Sequence, residues 1–140
     1  MISLLGNSPL RETRESGNLK IMVVQLRIER DLEQLLERSK TNPVLIFKHS
    51  TQCPISSHAY DEFTEFAEAA EDLTCGLVLV IEDRNVSDTI AERLNVRHES
   101  PQAIVVKDGR AAWHASHWSI TAGSLSDALR TYAQSAHQRN

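Results

Sequence analysis

Cysteine is scarce in this sequence: of 140 residues only Cys53 and Cys75 carry a thiol. Two cysteines with no export signal do not make a disulfide-stapled scaffold and fit a reducing compartment. There is also no excess of positive charge. Fifteen lysines and arginines against nineteen aspartates and glutamates leave a net charge of −4, so there is no basic footprint for nucleic acid or an anionic membrane. Long apolar runs are missing too. The longest, Leu77-Val78-Leu79-Val80-Ile81, falls far short of a membrane span. Residues 1–5 are too short for the apolar core of a secretion signal, and no small-residue cleavage site follows. Repeats and low-complexity segments are absent. The expectation is one cytoplasmic domain, with chain enough for a proper core and no nucleic-acid or membrane partner.

Residues 1–20 are polar, hold Gly6, Pro9 and Gly17, and show no apolar period. They read as a flexible leader, with the domain at 21–140. A first strand is expected over 22–26. A helix follows, with Ile28, Leu32, Leu35 and Leu36 on one face and Glu29, Glu33 and Glu37 on the other. The second strand is 44–49. Pro54, suited to a first helical position, opens a long helix whose buried stripe is Ile55, Ala59, Phe63, Phe66, Ala67 and Ala70. Residues 75–81, apolar on both faces, form a central third strand. Ser87 suits the N-cap of a short helix carrying Ile90, Ala91 and Leu94. A hairpin over 103–106 and 111–115 turns at Lys107-Asp108-Gly109-Arg110. A last helix packs Leu125, Ala128, Leu129, Tyr132, Ala133 and Ala136. The order is βαβαβαββα. Strands separated by helices are expected to run parallel, and the final hairpin antiparallel. This is an α/β fold, a mixed central sheet with helices on both faces, and a cysteine after its second strand marks the thioredoxin-like arrangement.

The chemistry centres on Cys53. A polar turn, Ser50-Thr51-Gln52, separates it from the buried strand, and Cys53-Pro54-Ile55-Ser56 opens the helix. Unpaired N–H groups and the positive dipole end favour an anion there, so this is a place to make a nucleophilic thiolate. The usual second redox cysteine is missing, because position 56 is serine. An adduct on Cys53 then cannot collapse to an internal disulfide and waits for an external thiol. The Ser56 hydroxyl either donates to the thiolate or is an ordinary first-turn group. Cys75, in the apolar third strand, is expected at the far end of the sheet and structural.

Pro101 follows Ser100 just before the fourth strand. In this fold such a proline is expected to be cis beside the sulfur, freeing the Ser100 backbone to pair with substrate. The segment Trp113-His114-Ala115-Ser116-His117-Trp118-Ser119 holds both tryptophans. If Ser119 or Thr121 caps the last helix, this loop lies beside Pro101 and lines a small-molecule pocket with an anion-favouring helix end. The other reading is edge-strand packing by Trp113 and a solvated loop. His117 and His114 are two nitrogens without a third, so no metal is expected. His49 and His98 either tune the sulfur as imidazolium or are satisfied structural groups. Arg84 either reaches an anionic ligand or forms a surface ion pair.

Three blocks, 47–56 (FKHSTQCPIS), 98–102 (HESPQ) and 113–118 (WHASHW), together closely resemble the YtxJ-type monothiol bacilliredoxins over about residues 21–135. The resemblance implies a thioredoxin-like oxidoreductase that removes bacillithiol, a cysteinyl-glucosamine-malate thiol, from S-bacillithiolated proteins. It implies Cys53 as nucleophile, in the motif with Pro54 and Ser56, and Pro101 as the cis proline. Ser100, Ser116, His117 and Trp118 match family blocks, and Ser119 adjoins them as thiol-binding candidates. Bacillithiol or another low-molecular-weight thiol would be co-substrate, with no bound cofactor and with a partner reductase as a possible resolving system.

Three rival readings stay open. A thiol peroxidase also uses a lone helix-start cysteine, but the proline four residues before Ser50 is absent: position 46 is Ile46. An iron–sulfur carrier of the monothiol glutaredoxin kind would have glycine where Pro54 stands. The third is a redox-silent thioredoxin-like module that binds a protein partner through the 113–118 loop.

Overall fold

Val44-Leu45-Ile46-Phe47 offers no polar side to water, and the chain answers by covering this segment on both faces. The protein is described by a computed structural model over residues 11–16, 19–70 and 72–138. The order is β1 (Arg11–Ser16), β2 (Leu19–Gln25), α1 (Glu29–Arg38), β3 (Val44–His49), α2 (Pro54–Ala69), β4 (Leu73–Leu79), α3 (Arg84–Leu94), β5 (Gln102–Lys107), β6 (Arg110–Ser116), a 3-10 turn (His117–Ser119) and α4 (Ala122–Gln138). One mixed sheet runs β1-β2-β4-β3-β5-β6. β2, β4 and β3 are parallel; β1, β5 and β6 run antiparallel to the strands they join.

Because side chains alternate along a strand, β3 feeds two cores. Val44 and Ile46 pack with Leu32 and Leu35 of α1 and Ile90 of α3. Leu45 and Phe47 pack with Phe63 and Phe66 of α2 and Leu125 of α4. The next two residues follow the same alternation, so Lys48 faces the α3 side and His49 the α2 side. Among the described residues no helix is long and apolar enough to cross a membrane.

The structure departs from the sequence reading at several elements. β1 lies within the segment expected to be a flexible leader, and β2 already begins at Leu19, so position 21 is not a structural boundary. Glu12 stands opposite Met22 in that ladder. An edge strand is held by backbone pairing and leaves no apolar period to detect. Residues 1–10 of the expected leader lie outside the described residues. Ile28 is the cap of α1 and 57% exposed rather than part of its buried face. Asp31 Oδ2 accepts the N–H groups of Arg27 and Ile28 at 3.0 and 3.1 Å and fixes the helix start beyond them. β4 covers 73–79 rather than 75–81. Asp83 N–H turns back to Leu79 O at 2.7 Å, leaving Ile81 exposed. Ser87 is no N-cap; it lies buried inside α3, which begins at Arg84 because the Val86, Ile90, Leu94 stripe starts a turn earlier. β5 is antiparallel to β3, not parallel. α3 ends at Asn95, whose φ is +57°, and residues 96–101 bring the chain back to the carboxyl end of β3, where Lys48 faces Gln102.

Candidate active site

β3 ends at His49 and α2 begins five residues later, at Pro54, so the turn between them must be tight. Ser50 Oγ accepts the Gln52 N–H at 3.3 Å and shapes it. Cys53 caps α2 with extended backbone (φ −123°, ψ 123°), and Pro54 occupies the first turn. Its carbonyl accepts the Ser57 N–H at 3.1 Å, while its half-exposed sulfur stays free. Pro54 contributes no N–H, so the unpaired donors at this helix end are those of the residues just after it.

Ser56 lies fully buried below the turn. Its Oγ accepts the Ser50 N–H at 2.9 Å and lies 2.9 Å from His49 Nδ1. The His49 ring sits against Tyr60, centroids 4.8 Å apart, and Phe47 at 6.1 Å. Burial, which outweighs the opposing pull of Glu82, holds His49 below the ordinary histidine range. The ring is therefore neutral at neutral pH, and the structure favours a satisfied structural histidine over an imidazolium tuning the sulfur. In the Nε2-protonated tautomer Nδ1 accepts the Ser56 proton; in the other it donates to Oγ.

The Ser100–Pro101 peptide is cis. Because Gln102 pairs with Lys48, Pro101 stands at the His49 end of β3, on the edge where the Cys53 turn begins. His117, with φ +53°, donates its N–H to Pro101 O at 3.1 Å, so the 3-10 turn is fastened to the proline turn. Its ring Nε2 is 3.7 Å from Glu99. Trp113 packs against the α2–α4 core. Trp118 is 62% exposed and sits 5.0 Å, ring to ring, from His58 of α2. Ser116 ends β6 as the partner of Gln102. Ser119 is exposed, and its carbonyl accepts the Ser124 hydroxyl at 2.9 Å. Ser100 Oγ is buried with no partner among the described residues.

Thr121, not Ser119, caps α4: its Oγ1 accepts the Ser124 N–H at 2.9 Å, and its own N–H reaches Ser124 Oγ at 3.0 Å. The next N–H, of Ala122, donates to Glu62 Oε1 at 2.8 Å. The negative charge expected from a ligand at this helix end is thus supplied by α2 itself. Cys75, fully buried, faces Leu45 in the ladder, whereas the Cys53 turn leaves from His49, which faces Leu79. Burial pushes the Cys75 thiol far up, so it is inert. Among the described residues no three metal-ligating side chains cluster.

Sequence reasoning missed Lys48, which has no exposed surface. Its Nζ donates to Ser87 O at 3.2 Å and lies 3.1 Å from His98 Nδ1. Burial, partly offset by Asp88, lowers its pKa to about 8. Burial and then the Lys48 charge hold His98 below the ordinary range, so the imidazolium reading is disfavoured here also. A lone lysine continuing an apolar strand was the available signal. Glu62 gave none.

The model of the monothiol bacilliredoxin BrxC family matches residues 24–125. This chain belongs to the monothiol bacilliredoxin family. Among solved structures, a thioredoxin-fold protein described as a candidate oxidoreductase is similar at 38% identity, over 76% of this chain and 92% of its own, with a TM-score of 0.68. Fasciola hepatica thioredoxin (15% identity, 76% and 96% covered, TM-score 0.64) and a Halobacterium salinarum thioredoxin mutant (14%, 86% and 96%, 0.63) share the fold. Family and fold support thiol–disulfide redox chemistry, and of the two thiols of this bacilliredoxin Cys53 is half-exposed and Cys75 buried.

Two outcomes follow from the buried polar groups. Ser56→Ala leaves the Ser50 N–H without its acceptor and is expected to cost about 1–3 kcal/mol in chemical denaturation. Lys48 holds its proton in both states below pH 8 and in neither well above the ordinary 10.5. Between these values only the unfolded chain holds it, so this group makes the fold more stable as pH rises. From pH 7 to 9.5 the stability of the wild type relative to Lys48→Met is expected to rise by about 2 kcal/mol; a flat difference contradicts the assignment.

Proposed function

We propose that this bacilliredoxin removes bacillithiol from S-bacillithiolated proteins, with Cys53 as nucleophile. The observation that carries the reading is a half-exposed cysteine at the start of α2 whose nearest alternatives are a buried serine and a buried, distant thiol. The Cys53 thiolate attacks the bacillithiol sulfur of the mixed disulfide. The S–S bond to the target protein breaks, the target leaves as thiolate and takes a proton from water, and Cys53 now carries bacillithiol. A second bacillithiol thiolate attacks the carried sulfur, giving bacillithiol disulfide and free Cys53 thiolate; a partner reductase then reduces that disulfide. Each exchange swaps one S–S bond for another, so no bound cofactor or metal is needed.

In this reading the proline turn, at the end of β3 from which the Cys53 turn leaves, and the His117–Trp118 segment fastened to it wall the carried small thiol. Ser100, Ser116 and Ser119 are the hydroxyl-bearing groups of that region, with Pro54 stiffening the turn beneath. A cytoplasmic setting, where thiols stay reduced, suits the mechanism.

The test is release of bacillithiol from an S-bacillithiolated protein, followed by mass spectrometry. Cys53→Ala is expected to abolish release and Cys75→Ala to retain it. Full activity of Cys53→Ala overturns the mechanism.

A further inference from the structure

Burying a lysine costs free energy unless its protons find partners. Lys48 spends that cost beneath the segment that carries Ser100 and Pro101. Its ammonium donates to the Ser87 carbonyl and to His98 Nδ1. A ring that accepts at Nδ1 and is neutral must hold its single proton on Nε2. The tautomer is therefore set from behind, by a cation that solvent cannot reach. The ring itself is exposed, so its free edge carries a donor, polarised by the positive charge at its other nitrogen.

The base of this segment is closed by Gln102 Nε2, which donates to Arg97 O at 3.0 Å. His98 is thus held at the edge of the sheet from which the Cys53 turn also leaves. Charges around the ring are mixed: Lys48 and Arg84 oppose its protonation, while Asp88 of α3 and Glu99 favour it. Asp88 is exposed and screened by solvent, and Glu99 faces His117. The end of α4, where an anion would otherwise be expected, is already taken by Glu62.

We propose that His98, oriented by Lys48 and flanked by Arg84, binds the anionic part of the small thiol carried by the mixed disulfide. The inference rests on the transfer reaction proposed above and assigns a part of its substrate to residues. The substrate class is a thiol bearing carboxylates. His98 binds it through a neutral N–H; Lys48 is a positioning residue that never meets it.

The test compares two mixed disulfides of one carrier protein with a single exposed cysteine: its adduct with mercaptosuccinate, which bears two carboxylates, and its adduct with neutral 2-mercaptoethanol. His98→Leu and Lys48→Met are each expected to lower kcat/KM on the mercaptosuccinate adduct about tenfold, through KM, the weight of one charge-assisted hydrogen bond. On the neutral adduct both variants are expected to stay within about twofold of wild type, since no contact there is lost. An equal fall on both adducts makes the pair merely structural and overturns the proposal, as does no fall on either. His98→Leu changes an exposed ring and decides the matter alone if Lys48→Met does not fold. Inactivity of the wild-type chain on both adducts, by contrast, overturns the transfer reaction and this inference with it.

Discussion

The buried Ser56 hydroxyl meets the Ser50 N–H and His49 Nδ1, 2.9 Å from each, and the placement of the sulfur depends on that junction. A fully buried strand must become a helix start within four residues, and the backbone N–H groups stranded by so sharp a change need acceptors. Ser56 supplies one from within the first turn of the helix being started. The helix end, the turn and the last residue of β3 are thereby locked to each other, and Cys53 is carried at the top of the assembly. A cysteine at 56 would have been a resolving thiol. The serine instead makes the position a structural fastener.

Strand alternation then divides the neighbourhood in two. On the α2 side, His49 lies among Phe47 and Tyr60 and is neutral because burial penalises its charge. On the α3 side, Lys48 reaches beneath the proline turn to His98. The turn is held from the side by His117 N–H on Pro101 O. Three segments distant in sequence meet at one edge of the sheet, each secured by a polar bond to its neighbour.

Much of this was legible in the sequence where local chemistry decides it. The apolar strand 44–49, Pro54 at a helix start and the 107–110 turn each state their conformation within a few residues. Cys53 could be singled out for the same reason. What could not be read depends on partners far along the chain. Lys48 finds its acceptors 39 and 50 residues away, and nothing near it announces burial beyond the strand it continues. Glu62 fills the end of α4 from a helix 60 residues earlier, which removed the anion site that the helix end suggested. β1 leaves no apolar pattern. Ser87 was misplaced because a good capping residue inside an apolar stripe is overruled by packing.

The central claim is that Cys53 carries the small thiol alone. It is tested most directly by treating the wild-type protein with bacillithiol disulfide and mapping its peptides by mass under non-reducing conditions. One bacillithiol adduct on the peptide containing Cys53, with Cys75 unmodified, is the predicted result. A disulfide joining Cys53 to Cys75, or an adduct on Cys75, would contradict the account.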